Sequence, residues 1–148
     1  MSNALPLCGR LIPSPLIFRK EHPHDRQCRW LIRTLIENLK EAPDEWTSLS
    51  MVLGFDHEKV NSVGGFVYGA EDVVTSVTAS PYDIRPAVKA FTDERYPDGT
   101  PLPVSMLVQF DSPTGNYEVT FEDTDSSRWQ VTPANFKTIR EVLRPNFA

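Results

Sequence analysis

The chain has 148 residues, of which 40% are hydrophobic, and its formal net charge at pH 7 is -5. This length suits a single globular domain with one core. No stretch approaches the roughly 18 consecutive apolar residues that span a bilayer, and the N-terminus lacks the apolar segment of a secretory signal, so we predict a cytoplasmic protein. Cys8 and Cys28 match neither a disulfide-rich scaffold nor a paired zinc-ligand spacing, and we expect them to be free thiols.

The charge is concentrated in the middle of the chain. Residues 41–125 carry four Lys or Arg and sixteen Asp or Glu, a net charge of -12, whereas residues 1–40 and 126–148 carry +4 and +3. An acidic surface of this size repels nucleic acid and anionic membranes and attracts basic proteins. The same charge is also typical of a solvated face without a partner, so composition leaves both readings open.

The first segments predicted are an arm and a helix. Residues 1–24 contain four of the thirteen prolines and show no sustained periodicity, which predicts an extended or poorly ordered arm before a single domain over 25–148. From Asp25, a candidate N-cap, a helix is predicted to run to about Ala42, before Pro43. Apolar residues form one face of it: Cys28, Leu31, Ile32, Leu35, Ile36 and Leu39.

Strands and a second helix follow. Leu49, Met51, Leu53 and Phe55 alternate with polar or small residues, the period of a half-buried strand. The segments VGGFVYG and DVVTSVTA predict one or two further strands. A capping-box-like start at Ser80 and Pro81 predicts a helix that runs towards Tyr96, with Ile84, Val88 and Phe91 on one face.

The last elements are a hairpin and a third helix. Two alternating runs within 104–121 are joined by the turn DSPTGN. Thr132 and Pro133 predict the start of a helix whose apolar stripe is Phe136, Ile139 and Leu143. The predicted fold is α+β: an antiparallel sheet of four to five strands with about three helices packed mainly on one face.

Known catalytic patterns are absent from the sequence. His57 is predicted to be a surface residue, and the grouping of His22, His24, Asp25 and Cys28 has ligand types that zinc accepts but no common spacing. Neither a nucleophile elbow nor a phosphate-binding glycine loop occurs. We therefore predict a protein that is not an enzyme, with no catalytic residue, metal or cofactor.

The acidic end of the hairpin is the candidate binding surface. Glu118 and Glu122 fall on the same face of the second run, opposite Tyr117, and Asp123 and Asp125 follow in DTDSS, which lacks the order of a calcium loop. Acidic side chains beside an aromatic anchor suit a basic protein partner. Trp129 is a second candidate anchor, and the alternative is that it is a core residue under the last helix.

The chain resembles the YezG-like immunity or antitoxin family over roughly residues 28–147. The resemblance is carried by the segments PDEWTSLSMVLGF, VSMLVQFDSPTGNYEVTFED, RW and TPANFKTIREVLRP. Within them the family-like features fall on Leu107, Asp111, Ser112, Gly115, Tyr117, Phe121, Glu122, Asp123 and Trp129.

The resemblance implies a small non-enzymatic protein that binds a cognate bacterial toxin domain, often a nuclease, and blocks it. The partner-binding residues expected are Tyr117, Glu118, Glu122, Asp123, Asp125 and Trp129. Neither nucleic acid nor a membrane is expected as a partner, and the protein itself is expected to be a monomer or weak homodimer. Two alternatives remain: a small metal-dependent hydrolase using His22, His24 and carboxylates, and an effector-binding chaperone or adaptor.

Overall fold

A computed structural model describes residues 23–56, 59–96 and 100–146, with side chains from Arg26 onwards. The predicted arm over 1–24 lies outside the described residues except for its last two positions, which belong to the first helix. The elements in chain order are α1 (Pro23–Glu37), β1 (Ser48–Asp56), β2 (Lys59–Tyr68), β3 (Val74–Thr78), α2 (Pro81–Arg95), β4 (Ser105–Asp111), β5 (Tyr117–Glu122) and α3 (Phe136–Val142).

The described residues form one five-stranded sheet in the order β3-β2-β1-β4-β5, and every neighbouring pair is antiparallel. The central strand β1 pairs with β2 through a hairpin and with β4 through the connection that contains α2. The predicted α+β fold with an antiparallel sheet and three helices is confirmed. The sequence predicted four or five strands, and the sheet of the described residues has five.

Helices α1 and α2 pack on one face of the sheet, here called the α1/α2 face. The helix stripe predicted from periodicity supplies Cys28, Leu31, Ile32 and Leu35, all fully buried. Alternate strand residues, including Met51 of the central strand, complete the core. The period of two in the strands and of 3.6 in the helices thus points both apolar sets to the same layer.

The third helix lies against the opposite face, here called the α3 face. Ile139 and Leu143 are buried there with Phe66, Leu107 and Trp129 in a second apolar cluster. The expectation that the helices pack mainly on one face therefore holds for α1 and α2 only. The sequence did not predict a second layer because the strand residues that face α3 are mostly small or polar.

Helix ends differ from the predicted ones where tertiary contacts compete. α1 ends at Glu37 rather than near Ala42, because the Lys40 N–H donates to the Thr78 carbonyl at 2.7 Å and so joins the edge of the sheet. α3 begins at Phe136, after the N-cap Asn135, rather than at Pro133. The Asn135 Oδ1 accepts a hydrogen bond from the Thr132 N–H at 2.7 Å, which closes a turn ahead of the helix.

Cys28 is disulfide-bonded, so the prediction of a free thiol is wrong for this residue. Its side chain is fully buried, and Arg95 Nη2 lies 3.6 Å from its Sγ. Spacing along a chain does not reveal which side chains meet in space, and this is why the two cysteines gave no framework. Cys8 lies outside the described residues.

No helix in the described part of the chain is both long and apolar enough to cross a membrane. This agrees with the absence of a long apolar run in the sequence. The cytoplasmic location itself stays a prediction.

Candidate partner-binding surface

The α3 face of the sheet is built from cross-strand rows that the register defines. One row runs Ser62, Gly54, Ser105 and Glu122, and the next runs Thr78, Gly64, Val52, Leu107 and Thr120. Most of these side chains are small, so the face is shallow over β1, β2 and β3. Trp129 and α3 cover only part of it.

The segment after β5 folds back over this face as a compact turn, here called the 123–128 loop. The carboxylate of Glu122 holds it: Oε2 accepts hydrogen bonds from the N–H groups of Thr124 and Asp125, each at 3.2 Å. Its other oxygen accepts from Arg128 Nη1 at 3.0 Å. Within the loop, Asp125 accepts from the N–H and hydroxyl of Ser127 at 3.0 and 2.6 Å.

Glu122 is therefore an organiser of the loop rather than a free surface charge. Only 5% of its surface is exposed. Hydrogen bonds from the backbone N–H groups of Asp125 and Thr124, followed by the Arg128 contact, lower the pKa of its carboxyl below the ordinary 4.5, against the opposing effect of burial. A carboxylate that accepts several hydrogen bonds is stabilised in its charged form.

Trp129 is a core residue, as one of the two sequence-based readings had it. It is 4% exposed and lies in the apolar cluster beneath α3 with Ile139 and Leu143. The Arg128 guanidinium carbon lies 4.6 Å from its ring centroid, so the same arginine joins Trp129 to Glu122. The pair fixes where the 123–128 loop sits on the sheet.

The other predicted contact residues divide between core and surface. Tyr117 is 3% exposed and packs in the core on the α1/α2 face, so its ring is not available to a docked partner. Glu118 is half-buried on the α3 face, whereas Asp123 and Asp125 are exposed. The structure thus brings Glu122, Asp123, Asp125 and Trp129 together and leaves Tyr117 on the other side of the sheet.

Two residues that the sequence did not single out attach α3 to the sheet. The Tyr68 hydroxyl donates to the Arg140 carbonyl at 2.6 Å and lies 3.1 Å from Ser50 Oγ. Gln109 Nε2 donates to the Leu143 carbonyl at 2.9 Å. These carbonyls lie at the C-terminal end of the helix, where backbone carbonyls have no N–H partner within the helix. No sequence motif predicts such a contact.

Beside Trp129, the uncovered part of the α3 face forms a groove of about 650 Å³. Its floor includes Gly54, Ser62, Gly64 and Ser105, and its wall includes Ser126 of the 123–128 loop together with residues 129–131. The volume lies in the range of about 300–1,000 Å³ that is usual for ligand sites. The groove was not predicted, because the glycines and serines that floor it lie on three separate strands.

Exposed acidic side chains surround both ends of the sheet. Of the fourteen acidic residues of 41–125 that the structure describes, eleven have exposed side chains. They are Glu41, Asp44, Glu45, Asp56, Glu71, Asp72, Asp83, Asp93, Glu94, Asp123 and Asp125. The predicted acidic character of the middle of the chain is thus a property of the surface and not of buried ion pairs.

The residues proposed for metal chemistry lie largely outside the described part of the chain. His22 and His57 are outside it, and the side chain of His24 is not described. Among the side chains that are described, no group of three His, Cys, Asp or Glu is arranged to hold a metal ion. The predictions about metal and catalysis stay predictions.

The chain matches no protein-family model, no curated protein and no solved structure in three comparisons. The resemblance to YezG-like proteins therefore stays a hypothesis.

Proposed function

We propose that this protein is an immunity protein that binds and neutralises a basic toxin domain, of nuclease type by analogy with the family it resembles, through its acidic surface. The observation that carries the proposal is the exposure of eleven of the fourteen acidic side chains that the structure describes in residues 41–125. A nuclease domain must be basic where it meets phosphate, and a protein that covers that region has to be acidic.

The cations of the same region are too few to balance its carboxylates, since residues 41–125 carry four Lys or Arg against sixteen Asp or Glu. Lys89 Nζ lies 2.7 Å from Asp93 on the surface of α2. The Arg95 guanidinium carbon lies 4.5 Å from the Phe91 ring centroid, over the core rather than out in solvent. The field presented to a partner is therefore negative over much of this region, which speeds encounter with a basic protein.

Direct contacts are assigned to the acidic side chains that a partner can reach. These are Asp123 and Asp125 in the 123–128 loop, together with Glu118 near the start of β5. Glu122 and Trp129 act indirectly, since they hold the loop in place from beneath. Tyr117 takes no part as an anchor in this proposal.

The test begins with growth of a susceptible bacterium that expresses the C-terminal domain encoded immediately upstream of this gene, with and without this protein. We expect the toxin domain to arrest growth and this protein to restore it, with tight one-to-one binding in a calorimetric titration of the purified pair. Absence of both rescue and binding would refute the proposal.

Charge reversal locates the surface. The double variant Asp123→Lys and Asp125→Lys should weaken binding by at least tenfold, because two attractive contacts become repulsive. The matched control is Asp44→Lys with Glu45→Lys, which makes the same change in net charge at exposed positions before β1. Equal losses in the two double variants would mean that only net charge matters and that the 123–128 loop is not the contact.

A further inference from the structure

The groove beside Trp129 plays no part in the acidic contacts, yet it has the features of a binding site. Its lining comes from the four strands β1, β2, β3 and β4 and includes Gly54, Gly64 and Gly65. A Cβ added at Gly64 would meet no atom within 4 Å, so the space above this strand is empty of protein. The groove therefore admits a ligand down to the sheet backbone at Gly64, whereas the Ser62 side chain covers Gly54.

A buried hydroxyl in the groove lacks a partner. Ser105 is 5% exposed and lines the groove, and within the described part of the chain its Oγ makes no hydrogen bond. Its cross-strand neighbours are Gly54, which has no side chain, and Glu122, whose carboxylate is engaged by the loop. An unsatisfied buried hydroxyl costs about 1–3 kcal/mol, and a ligand that supplies an amide or carbonyl removes that cost.

The remaining polar groups of the floor suit a main chain. Asn61, Ser62 and Ser76 line the groove together with Phe66 and Val52, so its lining is partly polar and partly apolar. An extended backbone presents an N–H or a carbonyl at every residue and can use such a floor continuously. Small floor residues allow that backbone to approach closely.

The border of the groove is acidic at one end. Ser126 lines the groove, so the 123–128 loop forms this border and places the exposed Asp125, the residue before Ser126, beside it. The arginine of the loop is already bound to the buried carboxylate, and Asp56 and Lys59 face each other across the β1–β2 turn with opposite charge. The uncompensated charge at the border is therefore negative, which selects a basic side chain.

We propose that this groove receives an extended segment of the protein partner that carries a Lys or Arg, with its main chain against Ser105 and its cation against Asp125. The inference deepens the proposed function, because it assigns the kind of segment that the toxin domain would insert. It differs from surface neutralisation by charge alone, which would need no groove.

A direct test uses the hexapeptide GKVRVG, blocked at both ends, titrated at millimolar concentration into the ¹⁵N-labelled full chain. We expect saturable shifts of the amide signals of Gly54, Gly64 and Ser105, and none with the acidic peptide GEVEVG. Shifts confined to other parts of the protein, or no saturable shift, would overturn the groove as a peptide site.

Two variants separate a binding role from a structural one. Gly64→Phe fills the groove from open space, so the fold should persist while peptide affinity falls at least tenfold; Ser112→Phe, on the exposed β4–β5 turn, is the control for added bulk. Ser105→Ala should lower peptide affinity several-fold without lowering the melting temperature, because the hydroxyl has no partner to lose. Unchanged affinity in both groove variants would overturn the inference.

Failure of this inference differs from failure of the proposed function. Growth rescue with no peptide binding would leave the immunity function standing and remove the groove from it. Peptide binding without rescue would leave a peptide-binding groove in a protein that does not neutralise the toxin domain.

Discussion

The environment of Glu122 in the fold determines whether its carboxylate is exposed or buried. Alternation correctly placed it with Glu118 on one face of β5, opposite Tyr117, as part of the candidate binding surface. The chain then turns back at 123–128 and covers Glu122, so that the carboxylate becomes the acceptor around which the loop closes. A period of two specifies the face of a strand residue but not whether a later segment covers that face.

At the residue scale we predict that Glu122→Gln destabilises the protein in a pH-dependent way. The folded-state pKa of Glu122 is lowered, so its contribution to stability is present above the ordinary pKa and is lost as pH falls through the folded value. Urea unfolding should therefore show a gap between wild type and variant at about pH 7 that narrows towards about pH 3.

The control is Glu118→Gln, which removes the same charge from the same face of β5 without touching the loop. Its effect should be small at both pH values. A gap for Glu122→Gln that does not change with pH would show that the carboxylate acts by shape and not by charge.

Two neighbouring glycines in β2 should respond oppositely to alanine. A Cβ at Gly65 would overlap the Ser50 carbonyl oxygen and lie 2.9 Å from Met51 Cα, and backbone atoms of a central strand cannot move aside. We expect Gly65→Ala to cost about 1–3 kcal/mol or more, as overpacked sites do. Gly64→Ala, which meets nothing, should be neutral or stabilise by up to about 1 kcal/mol because glycine is entropically costly in a strand.

Thermal unfolding of the two variants side by side measures this difference. Equal melting temperatures would mean that β1 and β2 separate easily at this point. The close approach of the two strands would then contribute nothing to the free energy of unfolding.

At the element scale, α3 depends on the sheet for its existence. It has seven residues, and isolated helices shorter than about 12–15 residues are marginal in water. Burial of Ile139 and Leu143 stabilises the helix where helix propensity alone would not. The hydrogen bonds from Tyr68 and Gln109 stabilise it further. Since α3 forms one side of the apolar cluster around Trp129, its attachment also bears on the proposed binding surface.

We predict that Tyr68→Phe loosens α3 selectively. The variant leaves the Arg140 carbonyl and the Ser50 hydroxyl without this partner, at a cost of about 1–3 kcal/mol for buried groups. Hydrogen exchange should show faster exchange of the α3 amides, with the strands of the α1/α2 core little changed. Tyr82→Phe, on a side chain that is 76% exposed, is the control, and general loss of protection in Tyr68→Phe would contradict a role limited to α3.

The Tyr68 hydroxyl stays a donor throughout the physiological range. Burial, only partly offset by the Ser50 contact, raises its pKa from 10.0 to about 12. A group whose charged form is disfavoured on folding stabilises the fold below its unfolded pKa, and that contribution is lost as pH rises from about 10 through about 12. The attachment of α3 is therefore independent of pH until strongly alkaline conditions.

At the scale of the whole molecule, the distribution of charge makes a kinetic prediction. Exposed carboxylates interact with a distant partner through solvent and are screened within about 8–10 Å at physiological salt. If the acidic surface steers the toxin domain, raising salt from about 50 to about 300 mM should slow association by roughly tenfold while dissociation changes less. Stopped-flow fluorescence of the purified pair measures both rates. An association rate that does not change with salt concentration would contradict electrostatic steering.

Much of the architecture could be predicted because its signals are local and periodic. The helix stripe from Cys28 to Leu35, the alternation in β1 and the hairpin of β4 and β5 all depend on residues within one element. The opposite placement of α3, the burial of Glu122 and the disulfide at Cys28 depend on residues far apart in sequence. Patterns within one segment cannot predict contacts between residues that are far apart in sequence.

The sequence by itself therefore determined the α+β class, the order of the elements, the apolar face of each strand and the acidic character of the middle region, because periodicity and charge are carried by each segment separately. Only the tertiary structure decided which candidate contacts stay exposed. In the folded protein Asp123 and Asp125 are exposed, whereas Tyr117, Glu122 and Trp129 are buried. A groove also lies over Gly64. These differences arise because the burial of a side chain depends on which other segments cover its face of the sheet.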